Sequence, residues 1–259
     1  MELYHEIAGQ GETVVLVHAG IVDSRMWDPQ WPLLTERYRT LRYDMRGFGR
    51  SPLPAEPYAH ARDLSELLDR LDVDRAALVA VSMGGRVALE LAVARPPLVS
   101  ALMLVGSNMP GHHWSQTVQS YGQSEDDAIS RGDIDEAVEL NLRMWFDGPG
   151  RTPDQVDAAV RAKVGEMQRR AFELQIPVGE AADEELLVED LEQRLGEIAV
   201  PTLVAVGEHD VSDMHEIAEQ LESAIPGAHR HDIAGAAHIP NMEQPAQFDE
   251  LMLGFLAGR

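Results

Sequence analysis

Three side chains in this sequence have the types and the chain order of a nucleophile, an acid and a base. Ser82 stands between a buried apolar run and a helical pattern, Asp210 follows a late apolar run, and His238 lies near the end of the chain among small residues. A serine hydroxyl needs a base within hydrogen-bonding reach, and imidazole suits that task because it titrates near neutral pH. A carboxylate fixes the tautomer of such a base and stabilises its charged form.

The residues around Ser82 match what a nucleophile needs at the end of a strand. A serine between a strand and a helix can sit on a sharp turn, and its neighbours two positions away must then be small, because strand and helix crowd there. Ala80 and Gly84 meet that condition, although Ala80 replaces the first glycine of the usual G-x-S-x-G pattern. The alternative is an ordinary serine that caps a helix. The strand before Ser82 and the helix after it favour the nucleophile.

Short apolar runs alternate with helical patterns along the chain. Helical spacing of apolar residues covers 63–71 and 84–94. The runs that predict strands are 1–7, 13–18, 38–43, 76–81, 101–105 and 202–206. Strands that alternate with helices predict βαβ units and a mostly parallel sheet.

The alternation stops between residues 107 and 199. Segments 133–145 and 153–174 are helical and charged, with no buried-strand run between them. We therefore predict a core formed by residues 1–106 and 200–259, with residues 107–199 inserted as a helical lid.

Further motifs give the chain a family resemblance. His18-Ala19-Gly20 follows the first buried run, Asp44 to Ser51 matches D-x-R-G-x-G-x-S, and Gly207-Glu208-His209-Asp210 precedes Gly235-Ala236-Ala237-His238. Together with the turn at Ser82, these motifs resemble the α/β-hydrolase superfamily over nearly the whole chain, in the order Ser, Asp, His that this fold uses. The resemblance implies an α/β-hydrolase fold: a mostly parallel, eight-stranded sheet flanked by helices, with a lid after the sixth strand.

Asp210 is the expected acid, and two alternatives remain open. It stands three residues after Gly207 at a strand end, and Glu208 and Asp213 lie in the same loop. Some family members place the acid after the sixth strand instead. Here that segment, 106–108, has no carboxylate, which favours Asp210.

Two backbone amides are expected to bind the oxyanion of the reaction. Met83, directly after the nucleophile, offers one amide. The resemblance assigns the other to Gly20, and Ile21 remains an alternative because Ala19 replaces the family's usual glycine. His18 is expected to shape this loop and not to act as a catalyst.

Apolar side chains in the segments expected to face the site predict a pocket for an apolar acyl or alicyclic group. The predicted lining residues, each of which could instead belong to the core, are Ile21, Trp27, Met109, Trp114, Trp145, Phe146 and Ile239.

The first hypothesis for the reaction is hydrolysis of a small carboxylic ester or lactone through an acyl-enzyme. The chain is similar to 3-oxoadipate enol-lactonases and to cofactor-free perhydrolases and haloperoxidases of this fold. Epoxide hydrolases and haloalkane dehalogenases are disfavoured because their nucleophile is an aspartate. Carbon–carbon bond hydrolases remain an alternative, although they usually carry a longer glycine-rich oxyanion loop. Non-hydrolytic members, namely ligand-binding receptors and biosynthetic cyclases or lyases, form a second class.

Composition narrows the partners. The formal net charge of −23 repels phosphate backbones and anionic lipids, so we expect neither a nucleic acid nor a membrane as partner. The sequence has no cysteine and no ligand-spaced motif such as H-E-x-x-H, so we expect no metal and no cofactor. The first residues hold no basic region followed by an apolar stretch, which predicts a cytoplasmic protein. The natural substrate and the oligomeric state stay open.

Overall fold

The computed structural model describes residues 2–258, except for the side chain at position 180. Positions 1 and 259 of the predicted core, 1–106 and 200–259, therefore lie outside the described residues. One sheet runs through the described chain in the order β1-β3-β2-β4-β5-β6-β7. Its strands are β1 His5–Ala8, β2 Thr13–Val17, β3 Arg39–Tyr43, β4 Ala76–Val81, β5 Val99–Val105, β6 Thr202–Gly207 and β7 His229–Ile233. Only β1 pairs antiparallel, so the sheet is mostly parallel, as predicted.

The sheet of the described residues has seven strands, and the prediction of eight is wrong in that number. A turn at Gly9 and Gly11, both with positive φ, follows β1, and β1 pairs directly with β3. The sequence reading also missed β7. Its residues are polar and mostly exposed because it is an edge strand that pairs only with β6.

The described chain contains ten α-helices. The side chains of successive strand residues alternate between the two faces of the sheet. In β2, Val15 and Val17 pack into one core layer, while Val14 and Leu16 pack into the other. The helices are α1 Trp31–Thr35, α2 His60–Arg70, α3 Met83–Ala94, α4 Gln116–Ser130, α5 Ile134–Asn141, α6 Ala158–Gln175, α7 Leu191–Arg194, α8 Ser212–Ala224, α9 Pro240–Glu243 and α10 Pro245–Gly258. Helices α2, α3 and α8 cover the first layer, and α1 and α10 cover the second.

The chain between β5 and β6 is helical and packs against loops at the carboxyl end of the sheet. It contains α4 to α7, and the π-helix Leu142–Asp147 continues α5 directly. From α6, Arg170 Nε donates to the carbonyl of Gly49 and Gln175 Nε2 to that of Gly47, each at 3.1 Å, in the loop after β3. This helical segment therefore lies over the edge where parallel strands present functional side chains. No helix among residues 2–258 is long and apolar enough to cross a membrane.

Candidate active site

Ser82 occupies a strained turn between β4 and α3. Its φ of 55° and ψ of −118° lie in a region of backbone conformation where residues other than glycine are rarely found. The Ser82 amide donates to the carbonyl of Val105 at the end of β5, at 2.9 Å, and its carbonyl accepts from the Asn108 amide at 3.0 Å. These bonds fix the turn from a neighbouring strand, and the Ser82 residue stays partly open to solvent.

Close packing of strand and helix explains the small residues beside Ser82. A Cβ on Gly84 would lie 2.6 Å from the carbonyl oxygen of His18 and 2.7 Å from that of Val17, where no side chain fits. Ala80 is fully buried within β4. The size requirement inferred from the sequence therefore has a direct steric origin, the approach of α3 to the end of β2.

His238 and Asp210 form a buried hydrogen-bonded pair. Asp210 Oδ2 lies 2.8 Å from His238 Nδ1, and both side chains are at most 3% exposed. The other carboxylate oxygen, Asp210 Oδ1, accepts from the amide of Val211 at 2.9 Å. This arrangement holds the imidazole through Nδ1, with the Nδ1 proton directed toward the carboxylate, and does not involve Nε2.

Gly106 joins the Ser82 turn to the His238–Asp210 pair. It follows Val105, the residue that binds the Ser82 amide, and it has a φ of +48°. A Cβ at Gly106 would lie 3.1 Å from His238 Nδ1 and 3.2 Å from Asp210 Oδ2. The end of β5 thus packs directly against the pair while it holds the serine turn, which brings the three predicted residues to one place.

The other two candidate acids face different partners. Glu208 is exposed, and its Oε2 accepts from the amide of Gly235 at 2.9 Å. Asp213 is buried, but its Oδ1 accepts from the amide of Ser115 at 2.6 Å and lies 3.3 Å from His112 Nε2. Of the three carboxylates left open by the sequence, Asp210 is the one bonded to His238.

The loop after β2 approaches the start of α3. A Cβ on Gly20 would lie 3.6 Å from the Met83 methyl carbon, so these two residues are neighbours. The Met83 amide belongs to the first turn of α3, where backbone donors have no partner within the helix. Both residues are partly open to solvent, whereas Ile21 is buried. The two residues predicted to supply the oxyanion amides are therefore neighbours, and Met83 directly follows Ser82.

His18 holds this loop in place. Its Nε2 accepts from the amide of Met45 at 2.8 Å, so the ring proton is on Nδ1, which donates to the carbonyl of Ala19 at 2.8 Å. Complete burial lowers the pKa of His18 and keeps the ring neutral. Both ring nitrogens are thus engaged in shaping the loop, which agrees with the structural role predicted for this residue.

The residues of the D-x-R-G-x-G-x-S segment also make structural contacts. Asp44 Oδ1 accepts from the Ser24 amide and Oδ2 from the Arg50 amide, each at 2.8 Å. Arg46 pairs with Asp63 at 2.7 Å. These contacts tie the loop after β3 to its surroundings, as expected of residues that support the site without entering it.

Two of the seven predicted lining residues lie directly at His238. The Trp145 ring packs against the imidazole with 4.7 Å between centroids, and its carbonyl accepts from the His238 amide at 3.2 Å. Ile239 follows His238 and is fully buried. Trp145 is partly open to solvent, so it can face both the base and a bound molecule.

The other predicted lining residues pack within the core layers or at their edge. Trp27 is fully buried and lies 6.2 Å from Phe248 of α10, a position better explained as core than as pocket wall. Trp114 packs edge-on against His112 at 5.1 Å. The remaining three, all buried, are Ile21, Met109 and Phe146. The complete pocket wall stays a prediction.

Three features of the site were absent from the sequence reading. Gly106 had a signal, because a glycine directly after a buried strand often marks close approach of another group. The π-helix that carries Trp145 had none, although such helices are frequent at functional sites. The buried ion pair of Arg151 with Glu243, beside His238, joins residues 92 positions apart, and no local pattern announces it. Residues 2–258 hold no group of three or more histidines and acids placed to bind a metal.

Fold and site geometry together are those of an α/β hydrolase with a serine at the nucleophile turn. Residues 12–245 match the family described as having the alpha/beta hydrolase fold. The chain therefore belongs to this family.

Three similar proteins are named for hydrolysis of different substrates. A Variovorax paradoxus (strain S110) protein named as carbamate hydrolase RutD is 30% identical over 99% of this chain and 97% of its own length. The 2-hydroxy-6-oxononadienedioate/2-hydroxy-6-oxononatrienedioate hydrolase of Paraburkholderia xenovorans (strain LB400) is 28% identical over 99% and 91%. The crystal structure of an enol-lactonase from Burkholderia xenovorans LB400 has a TM-score of 0.81 at 25% identity, covering 98% and 96%. These likenesses support hydrolysis of a small molecule but do not identify the type of bond that is cleaved.

Proposed function

We propose that this protein is a serine hydrolase that cleaves a small, uncharged carboxylic ester or lactone through an acyl-enzyme. The observation that carries the proposal is the junction at Gly106. There the Val105 carbonyl at the end of β5 accepts a 2.9 Å hydrogen bond from the Ser82 amide, and Gly106 packs against the His238–Asp210 pair. A nucleophile, a base and an acid that meet through one short segment are arranged to act as a unit.

The proposed reaction begins at Ser82. His238 Nε2 takes the hydroxyl proton as Ser82 Oγ attacks the carbonyl carbon, and Asp210 stabilises the imidazolium through Nδ1. The amides of Met83 and Gly20 bind the oxyanion. His238 then gives its proton to the leaving alkoxide, which leaves Ser82 acylated. Water, activated by the same imidazole, attacks the acyl carbon and releases the acid.

The choice of an uncharged substrate rests on what surrounds the pair. The Trp145 ring packs against His238, and the residues that follow Ser82 and His238 in the chain, Met83 and Ile239, are apolar. Such a wall favours an apolar acyl group. The overall charge of −23 also repels anionic substrates.

A carbon–carbon bond hydrolase is the second candidate, because four of the similar proteins are named for dioates, substrates with two carboxylates. Binding a dioate calls for a free cation near the site. The nearby Arg151 has its guanidinium engaged by Glu243 and by three backbone carbonyls. The ester or lactone reading is therefore favoured.

The test is hydrolysis of short p-nitrophenyl esters together with labelling by a fluorophosphonate. The parent protein should release p-nitrophenol and take the label. Ser82→Ala should lower kcat by roughly 10³-fold or more and abolish labelling while the melting temperature is kept. Turnover by Ser82→Ala within about tenfold of the parent would remove Ser82 as nucleophile. If the parent protein does not hydrolyse esters or lactones but cleaves a 6-oxo dioate, the second candidate is favoured. If it is inactive in both assays, a binding protein is favoured.

A further inference from the structure

A buried carboxylate grips the backbone on both sides of His238. Glu243, the last residue of α9, accepts the amide of Ala237 at 3.0 Å and, through Oε1, the amide of Ile239 at 3.2 Å. Its side chain is only 4% exposed. Burial raises the pKa of the Glu243 carboxyl, and the facing amides and Arg151 oppose that rise. One side chain therefore accepts hydrogen bonds from the backbone amides on both sides of the proposed base.

Arg151 connects this carboxylate to the helical segment. Its Nη2 lies 2.6 Å from Glu243 Oε2 and also donates to the carbonyl of Phe146 at 2.8 Å. Its Nε donates to the carbonyl of Asp147 at 2.6 Å, and its Nη1 to that of Gly235 at 3.0 Å. All three guanidinium nitrogens are thus used, and their acceptors belong to the His238 loop, to α9 and to the π-helix that carries Trp145.

A second observation shows how tightly these two segments fit. A Cβ on Gly148, between Trp145 and Arg151 in the chain, would lie 2.4 Å from the carbonyl oxygen of His209. The His238 amide itself donates to the carbonyl of Trp145. Because the π-helix, the His209 turn and the His238 loop touch through backbone atoms, a shift of one must move the others.

We propose that Arg151 and Glu243 are positioning residues that fix His238 and seat the π-helix beside it. The proposal rests on the function proposed above, because it requires His238 to be the base. Neither side chain needs to touch the substrate. Each acts by holding the imidazole where Nε2 meets Ser82, and displacements of about 1 Å from such a geometry can lower rates by about 100-fold.

The test compares Glu243→Gln and Arg151→Ala with a matched control. Glu243→Gln keeps the shape but loses the charge, so one flanking amide and the ion pair are weakened. We expect kcat for p-nitrophenyl esters to fall about 10- to 100-fold, while KM changes by less than about threefold. The rate of fluorophosphonate labelling should fall in parallel, because it depends on the same activation of Ser82. The control is Arg131→Ala, which removes an exposed arginine paired with Glu136 outside the π-helix and should change kcat by less than about twofold.

Rescue separates positioning from general stability. Arg151→Ala opens a site shaped for a planar cation, and millimolar guanidinium chloride should restore a large part of its kcat without affecting Arg131→Ala. If both variants melt like the parent and keep its kcat, or if the loss appears in KM alone, the proposal is wrong. A variant that melts below the assay temperature with no recovery by guanidinium also counts against it, since the pair is then structural. A parent that neither hydrolyses esters nor takes the label defeats the proposed function instead.

Discussion

Replacing Asp210 by asparagine should reverse the proton arrangement of His238 without changing the shape of the site. In the native protein, Asp210 Oδ1 accepts from the Val211 amide at 2.9 Å and Oδ2 faces His238 Nδ1 at 2.8 Å. Asparagine has one oxygen, and the Val211 amide, a donor, must retain it. The new NH2 group then faces Nδ1 and donates to it. The ring proton moves to Nε2, which can no longer accept the proton of Ser82.

The magnitude follows from this tautomer change. An aspartate-to-asparagine change of this kind lowers kcat by up to about 10⁴-fold, because only the rare correct tautomer remains active. That factor corresponds to about 5.5 kcal/mol of activation free energy. Loss of the charge behind the imidazolium acts in the same direction. The fold should persist, because size and shape at position 210 are unchanged.

The assay is steady-state hydrolysis of p-nitrophenyl acetate and butyrate, with thermal melting measured beside it. Glu208→Gln is the matched control, because Glu208 lies two residues earlier, is exposed, and bonds to Gly235 through an oxygen that glutamine keeps. We expect that control to change kcat by less than about threefold. If Glu208→Gln is the more damaging change, or if Asp210→Asn stays within about tenfold of the parent, the acid has been assigned to the wrong residue.

Three further predictions concern packing, specificity and metals. Gly106→Ala should lower the free energy of unfolding by about 1–2 kcal/mol because φ is positive at this position, and should lower kcat by about tenfold or more because the new Cβ contacts His238. The control is Gly122→Ala, at a helical position with open space around it. Equal melting temperatures and rates for the two variants would contradict the reasoning. Trp145→Ala should shift kcat/KM from short toward long acyl esters by roughly 10- to 200-fold while labelling of Ser82 persists, and a flat chain-length series from a folded variant would refute Trp145 as pocket wall. Activity should survive exhaustive dialysis against EDTA, and a loss that returns with Zn²⁺ would contradict a metal-free mechanism.

The sequence predicted those parts of the fold whose signals are local and strong. The run at β4 is buried on both faces, so its residues are apolar throughout and its bounds, Ala76–Val81, were read correctly. The edge strand β7 is the opposite case, because within His229–Ile233 only Ile233 is apolar and buried and the other four residues are polar. Burial, and not strand formation itself, produces the pattern that sequence reading detects.

The same distinction applies to the site. Ser82 and Asp210 follow predicted strands and His238 lies among small residues, so chain order and local spacing were enough to predict them as candidates, with Glu208 and Asp213 left as alternatives to Asp210. Gly106 and the pair of Arg151 with Glu243 act through contacts between segments far apart in the chain. Their neighbours are known only once the helical segment has folded back onto the carboxyl edge of the sheet, which no periodicity encodes.

Three separate parts of the chain hold His238, and this bears on how substrate choice and rate depend on each other. Asp210, after β6, fixes the ring; Glu243, from α9, fixes the backbone; and the carbonyl of Trp145 fixes the amide of His238 itself. Because Trp145 also covers the imidazole, the residue proposed to select the acyl group is bonded directly to the proposed base. A change in the helical segment that moves the Trp145 backbone must therefore move His238, so it should alter kcat as well as KM. Truncation of the Trp145 side chain alone leaves that carbonyl in place, so its effect should be confined to the choice of acyl group.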